Sequence, residues 1–193
     1  MTEIPRPAPG TPADRTDLIV LNGGSSSGCS TLARCLQDLL PRPWLTLGTD
    51  TFAEALPAAL RNGEAGAGGL DIAPDGSVGV GPVFRALEDG WIRGVAAMAR
   101  AGTGVIVDEV FLGGRASQER WLAALGGLNV LWVGVRCDPA VAAAREAARG
   151  DRVAGMAAGQ AHSVHEGVRY DIEVDTGSAD PLTCARYVAA QVR

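Results

Sequence analysis

One stretch dictates what this chain can become. Residues 18–31 read Leu-Ile-Val-Leu-Asn-Gly-Gly-Ser-Ser-Ser-Gly-Cys-Ser-Thr. A β-branched apolar run predicts a short buried strand over 18–21, and Ser30 or Thr31 opens a helix. Between them Gly23, Gly24, Ser25, Ser26, Ser27 and Gly28 make a turn that can curl its N–H groups around an anion. The following helix N-terminus adds partial positive charge. The spacing of Gly23, Gly28 and Ser30 is that of a phosphate-binding loop, whose pattern places a lysine just before the final hydroxyl residue. Here that position is Cys29.

The absence is chain-wide. All 17 basic side chains are Arg, and the sequence contains no Lys. Either composition drifted and swept the loop lysine away, or primary amines were selected against. The 193 residues suffice for one α/β domain with a real core. A net charge of −5 argues against general nucleic-acid binding. No apolar run reaches membrane-spanning length and no signal-peptide pattern opens the chain, so the expectation is a cytoplasmic protein. Cys29, Cys35, Cys137 and Cys184 lack zinc-knuckle spacing and are expected as free thiols.

Residues 1–16, with Pro5, Pro7, Pro9 and Pro12, read as a tail, and 17–193 as the domain. The first helix carries Leu32, Leu36, Leu39 and Leu40 on one face and stops before Pro41. Residues 44–47 form a second strand, followed by Asp50. In parallel sheets chemistry lies beyond the carboxyl ends of strands, which places Asp50 on the rim of the phosphate loop. Asp50 could equally cap a helix over 52–60. The Gly-rich stretch 62–82, with its Pro74-Asp75-Gly76 turn, is either a flap over a ligand or a surface loop. A long helix spans 83–101, and strand three spans 105–109, ending in Asp108 and Glu109. An acid at such a strand end often holds Mg²⁺.

Val110, Phe111 and Leu112 follow at the same rim, either as a pocket for an apolar substrate or as ordinary core. A helix over 116–125, strand four over 130–135 and a helix opening at Asp138-Pro139 come next. That helix carries Arg145 and Arg149, and Arg152 extends the cluster. They are either solvated or part of a lid that closes on phosphate. His162 and His165 lack a third metal ligand. Strand five over 172–176 and a helix over 181–192 complete the alternation. It implies a three-layer α/β fold around a five-stranded, mainly parallel sheet.

The chain resembles the chloramphenicol phosphotransferase family, antibiotic kinases of the phosphate-loop superfamily. The resemblance covers roughly 17–193 and rests on Leu21-Asn22-Gly23-Gly24-Ser25-Ser26, Val110-Phe111-Leu112-Gly113-Gly114, Leu131-Trp132-Val133-Gly134-Val135-Arg136-Cys137-Asp138, Arg149-Gly150-Asp151-Arg152-Val153-Ala154-Gly155-Met156 and Val164-His165-Glu166-Gly167-Val168. Ala96-Ala97-Met98-Ala99-Arg100-Ala101-Gly102 matches as well. It implies transfer of a phosphoryl group from ATP (or GTP) with Mg²⁺ to a hydroxyl of a small antibiotic, conferring self-resistance. It matches Asp50 to the catalytic base and Ser30 to the metal-binding serine of the loop. Residues 23–31, through Thr31, match the nucleotide site, with Thr176 and Gly177 near the adenine. Arg149, with Arg145 and Arg152, matches the lid arginines, and Val110, Phe111 and Leu112 the antibiotic pocket. Neither nucleic acid nor membrane is an expected partner, and a homo-oligomer stays open.

Cys29 keeps two other readings open: a lysine-less fold that only sequesters a small molecule, and a reactive thiol at a helix N-terminus. The plain alternative to the latter is a small residue filling the lysine's space.

Overall fold

The computed structural model describes residues 15–61, 68–150 and 153–193. Residues 1–14 of the expected tail and Arg152 lie outside them. Thr16, assigned to the tail, belongs to the fold: it is buried, its N–H donates to the Arg193 carbonyl at 3.0 Å, and its Oγ1 accepts from the Arg193 N–H at 3.1 Å.

Five strands form one sheet: β1 (Leu18–Asn22), β2 (Trp44–Gly48), β5 (Gly104–Glu109), β6 (Val130–Arg136) and β7 (Ile172–Asp175). Their order is β2-β5-β1-β6-β7, and every neighbouring pair is parallel. The chain moves to one side of β1 to lay down β2 and β5, then to the other for β6 and β7. The loop after β1 therefore sits at the switch point, where a crevice opens beyond the strand ends.

All five residues of β1 are buried. Alternation splits them between two cores. Ile19 and Leu21 join Ile106, Val133 and Val135 beneath helices α1 (Cys29–Leu39) and α8 (Pro181–Ala189). Leu18 and Val20 join Val105, Val107 and Trp121 beneath α4 (Pro82–Arg100) and α5 (Arg115–Ala124). Burial on both faces is why β1 reads as a continuous apolar run.

Leu32 and Leu36 of α1 and its C-cap Leu40 face the core as expected, whereas Leu39 is exposed. The single helix expected over 52–60 is two, α2 (Thr49–Ala55) and α3 (Ala58–Arg61). Pro57 forces Leu56 into an extended conformation (φ −72°, ψ 148°) and ends the first. The stretch expected as a flap or loop contains an antiparallel hairpin, β3 (Leu70–Ile72) and β4 (Val78–Val80), turning at Pro74-Asp75-Gly76. Helix α6 (Pro139–Arg149) is capped by Asp138, which accepts from the Ala140 and Val141 N–H groups, and ends at Gly150 with φ 69°. Helix α7 (Met156–Ser163) follows. The last helix stops at Ala189, three residues short of its expected end. Among the described residues no helix is long and apolar enough to cross a membrane.

Candidate active site

The phosphate loop is held by its own backbone and its neighbours. The Gly23 N–H donates to the Glu109 carbonyl at 3.1 Å, and Ser27 N–H to the Gly24 carbonyl at 3.1 Å. Thr176 Oγ1 donates to the Ser27 carbonyl, and the Arg145 guanidinium reaches the Thr176 carbonyl at 2.7 Å. Gly23 admits no side chain: a Cβ there would stand 2.7 Å from Cys29 Sγ and 2.9 Å from the Val135 carbonyl oxygen. Gly28 has φ 97°, a conformation that suits glycine. Ser26 carries the one positive φ, 60°, among the described non-Gly residues, and its Oγ is buried without a partner. Helix α1 starts at Cys29 without a side-chain cap, so its first N–H groups are open to an anion.

These features fit a polyphosphate. Beside them Ser30 Oγ donates to Asp108 Oδ2 at 2.6 Å. A hydroxyl and a carboxylate are the hard oxygen donors Mg²⁺ takes when it also binds phosphate. The residues present therefore fit both groups.

Cys29 lines the same cavity but offers it no cation. Its side chain packs with Ile19, Leu21 and Val135 and is 6% exposed, with Sγ 3.4 Å from Ser27 Oγ. Burial, reinforced by the nearby Asp108 charge, pushes the thiol well above its ordinary pKa. Burial and the raised pKa favour the space-filling reading of Cys29 over the reactive-thiolate one.

Asp50 lies in the first turn of α2, exposed on the wall of a 540 Å³ cavity shared with the phosphate loop. It is not the helix cap: Gly48 is, and no side chain bonds there. Gly48 lets the turn press on β5, since a Cβ would stand 2.2 Å from the Asp108 carbonyl oxygen. Thr49 Oγ1 then donates to Glu109 Oε2 at 2.9 Å. Burial raises the Glu109 carboxyl to about 8, so it is neutral at pH 7.

Beyond Asp50 the cavity turns apolar. Val110 and Leu112 line it as expected, with Phe84 and the hairpin residues Leu70, Ile72, Val78 and Val80. Phe111, expected with Val110 and Leu112, is instead core: it is 1% exposed, packs toward Trp132 and donates its N–H to Asn22 Oδ1. Ser27 is buried under the loop and Gly177 is exposed away from the cavity, whereas Thr176 lines it. Arg145 and Arg149 also line it.

His165 has a structural place. Asn22 Nδ2 donates to the Tyr170 hydroxyl at 2.6 Å, and that hydroxyl bonds to His165 Nδ1 at 2.6 Å. Burial lowers the imidazole to about 4. Among the described residues no cluster of three metal-ligating side chains occurs.

Several cavity groups were missed in the sequence. Arg85 and Glu88, one turn apart on α4, pair at 2.7 Å on the acceptor side. Gln160 on α7 accepts from the Ser25 N–H at 2.8 Å. The hairpin had a signal, Asp-Gly between alternating apolar residues. Gln160 had none, because it meets the loop only through the packing of α7.

A parallel sheet with a phosphate loop at its switch point, and acids beside it, defines a phosphate-loop kinase fold. A sugar kinase from Janibacter sp. HTCC2649 superposes with a TM-score of 0.64 at 16% identity, over 91% of both chains. The Deinococcus radiodurans tunicamycin resistance protein gives 0.63 at 19% identity, over 92% of this chain and 95% of that one. The Mycobacterium tuberculosis APS kinase, in complex with AMPPNP and APS, gives 0.55 at 15% identity, over 92% and 97%. A Mycobacterium tuberculosis protein with the provisional name O-phosphotransferase is 34% identical over 178 residues, 86% of this chain and 76% of its own. The model of the chloramphenicol phosphotransferase-like proteins matches residues 16–193, and the chain belongs to that family of kinase-type phosphotransferases.

Proposed function

We propose that the chain transfers the terminal phosphoryl group of ATP or GTP to a hydroxyl of a small, largely apolar natural product, an antibiotic, and so protects its producer. One observation carries this reading: Asp50 stands in the same cavity as the phosphate loop and the apolar wall of Val110, Leu112 and the hairpin. A hydroxyl presented from that wall has a carboxylate on one side and the phosphate site on the other.

Asp50 then takes the proton from the attacking oxygen. Loop N–H groups and the uncapped start of α1 hold phosphate oxygens, and Ser30 with Asp108 would hold Mg²⁺. Arg149, lining the cavity at the end of α6, adds positive charge as a lid residue would. Bound Mg-nucleotide supplies the phosphoryl group and neutralises its charge. The closeness of the tunicamycin resistance protein in fold agrees with an antibiotic acceptor.

A second reading, capture without transfer, is favoured by one fact: position 29 brings no cation to the cavity. Incubating the protein with Mg-ATP and a panel of hydroxylated antibiotics separates the two. Transfer predicts a product heavier by one phosphoryl group, and Asp50→Asn slows its formation by about 10²-fold or more while binding persists. A panel of tight binders with no phosphorylated product would leave capture as the function.

A further inference from the structure

Helix α7 connects the two halves of the cavity. Its N-terminus is tied down by buried Glu146, whose Oε2 accepts from the Gly155 N–H at 2.9 Å and whose Oε1 accepts from the Ala157 N–H at 2.8 Å. Met156, in its first turn, meets the hairpin: a Cβ on Gly76 would stand 2.3 Å from the Met156 nitrogen. One helical turn later, on the same face, Gln160 meets the phosphate loop. The contact is close because Gly24 has no side chain, and a Cβ there would lie 3.0 Å from Gln160 Cβ. Met156 and Gln160 both line the cavity, so this face of α7 runs from the acceptor cover to the phosphates.

Gln160 as a residue is only 8% exposed, and the orientation of its side chain is fixed by chemistry. The Ser25 N–H needs an acceptor, so Oε1 faces the loop and Nε2 is turned away from it. Nε2 donates to no described residue. An amide donor that opens on the cavity wall, with its other end held by the loop, has an aim but no partner among the described residues.

We propose that Gln160 is a binding residue for the transferred phosphoryl group, its Nε2 donating to a terminal phosphate oxygen at the boundary between loop and acceptor. This rests on the phosphotransferase reading. A neutral donor there gives part of the contact that the loop lysine would give, and its grip is specific to the triphosphate. Arg145 serves the opposite flank of the loop, at Ser27 and Thr176, so the two do not duplicate each other.

Gln160→Glu tests this, because a carboxylate still accepts from the Ser25 N–H but has no donor to offer. ATP and ADP are titrated into both proteins by calorimetry in the presence of Mg²⁺, with thermal unfolding as the control for folding. The expected result is a Kd for ATP weakened about tenfold or more, a Kd for ADP weakened much less, and an unchanged unfolding midpoint. Gln160→Leu, which also orphans the Ser25 N–H, should weaken both nucleotides. Equal losses for ATP and ADP in Gln160→Glu, or no loss for either, would overturn the assignment while leaving the phosphotransferase reading intact. Failure of the unaltered protein to bind either nucleotide would overturn both.

Discussion

At the scale of single residues, position 29 sets this loop apart from the usual phosphate-binding pattern. A lysine's reach is missing, and what replaces it is a thiol folded under the loop against Ile19, Leu21 and Val135. Phosphoryl transfer depends on positioning and charge, and losing one cation costs a few kcal/mol, about 10²- to 10³-fold in rate. The loop keeps its other means: an uncapped helix start, the Ser30–Asp108 pair and the oriented amide of Gln160. The Cys29 thiol is packed in the core and burial pushes its pKa up, which disfavours a reactive thiolate. Cys29→Ser is therefore expected to leave turnover within about twofold, and alkylation of Cys29 in the folded protein at pH 7 to lag far behind that of a free thiol. Loss of turnover in the serine variant, or rapid alkylation at Cys29, would show the thiol at work.

At the scale of elements, the sequence was legible wherever one segment carries its own signal. The β1 run, the Gly-Ser loop, Pro41 as a helix stop and Asp138-Pro139 as a helix start all stand where local chemistry put them. Errors arose where tertiary packing decides. Phe111 sits between two cavity residues, yet Asn22 Oδ1 takes its N–H and turns its ring into the core. Position alone leaves Asp50 open between cap and base, and the fold puts Gly48 at the cap. The hairpin is short, and its strands are half-exposed, so its alternation was lost among glycines. Gln160 and the Arg85–Glu88 pair reach the cavity only because α7 and α4 are laid beside it. For the site as a whole, the phosphate half was readable from residues 23–31, because its parts are contiguous. The acceptor half was not, because five separate elements build it.

At the scale of the whole molecule, two buried groups set opposing pH dependences. His165 has a native value of about 4 against 6.5 for the free imidazole. Between those values the unfolded chain binds a proton the native state refuses, so stability is full above pH 6.5 and falls as pH drops toward 4. Glu109 runs the other way: raised from 4.5 to about 8, it binds its proton in the native state, and stability falls as pH rises through 8. Between 4.5 and 6.5 the two slopes oppose. Denaturant titrations should therefore show a decline from pH 6.5 toward 8 that Glu109→Gln removes, unmasking a rise in stability from pH 4 to 6.5 that His165 causes. A Glu109→Gln variant with the parent's profile would contradict this. At the same scale, the proposed transfer needs a nucleotide in a cavity whose loop carries no lysine at position 29. Calorimetric titration of Mg-ATP and Mg-GTP into the protein, repeated with Cys29→Lys, tests that most directly. Saturable binding at one site in the unaltered protein is expected, tightened by the added lysine. Binding by the lysine variant alone would contradict it, and would mark the cavity as one that captures a small molecule without a nucleotide.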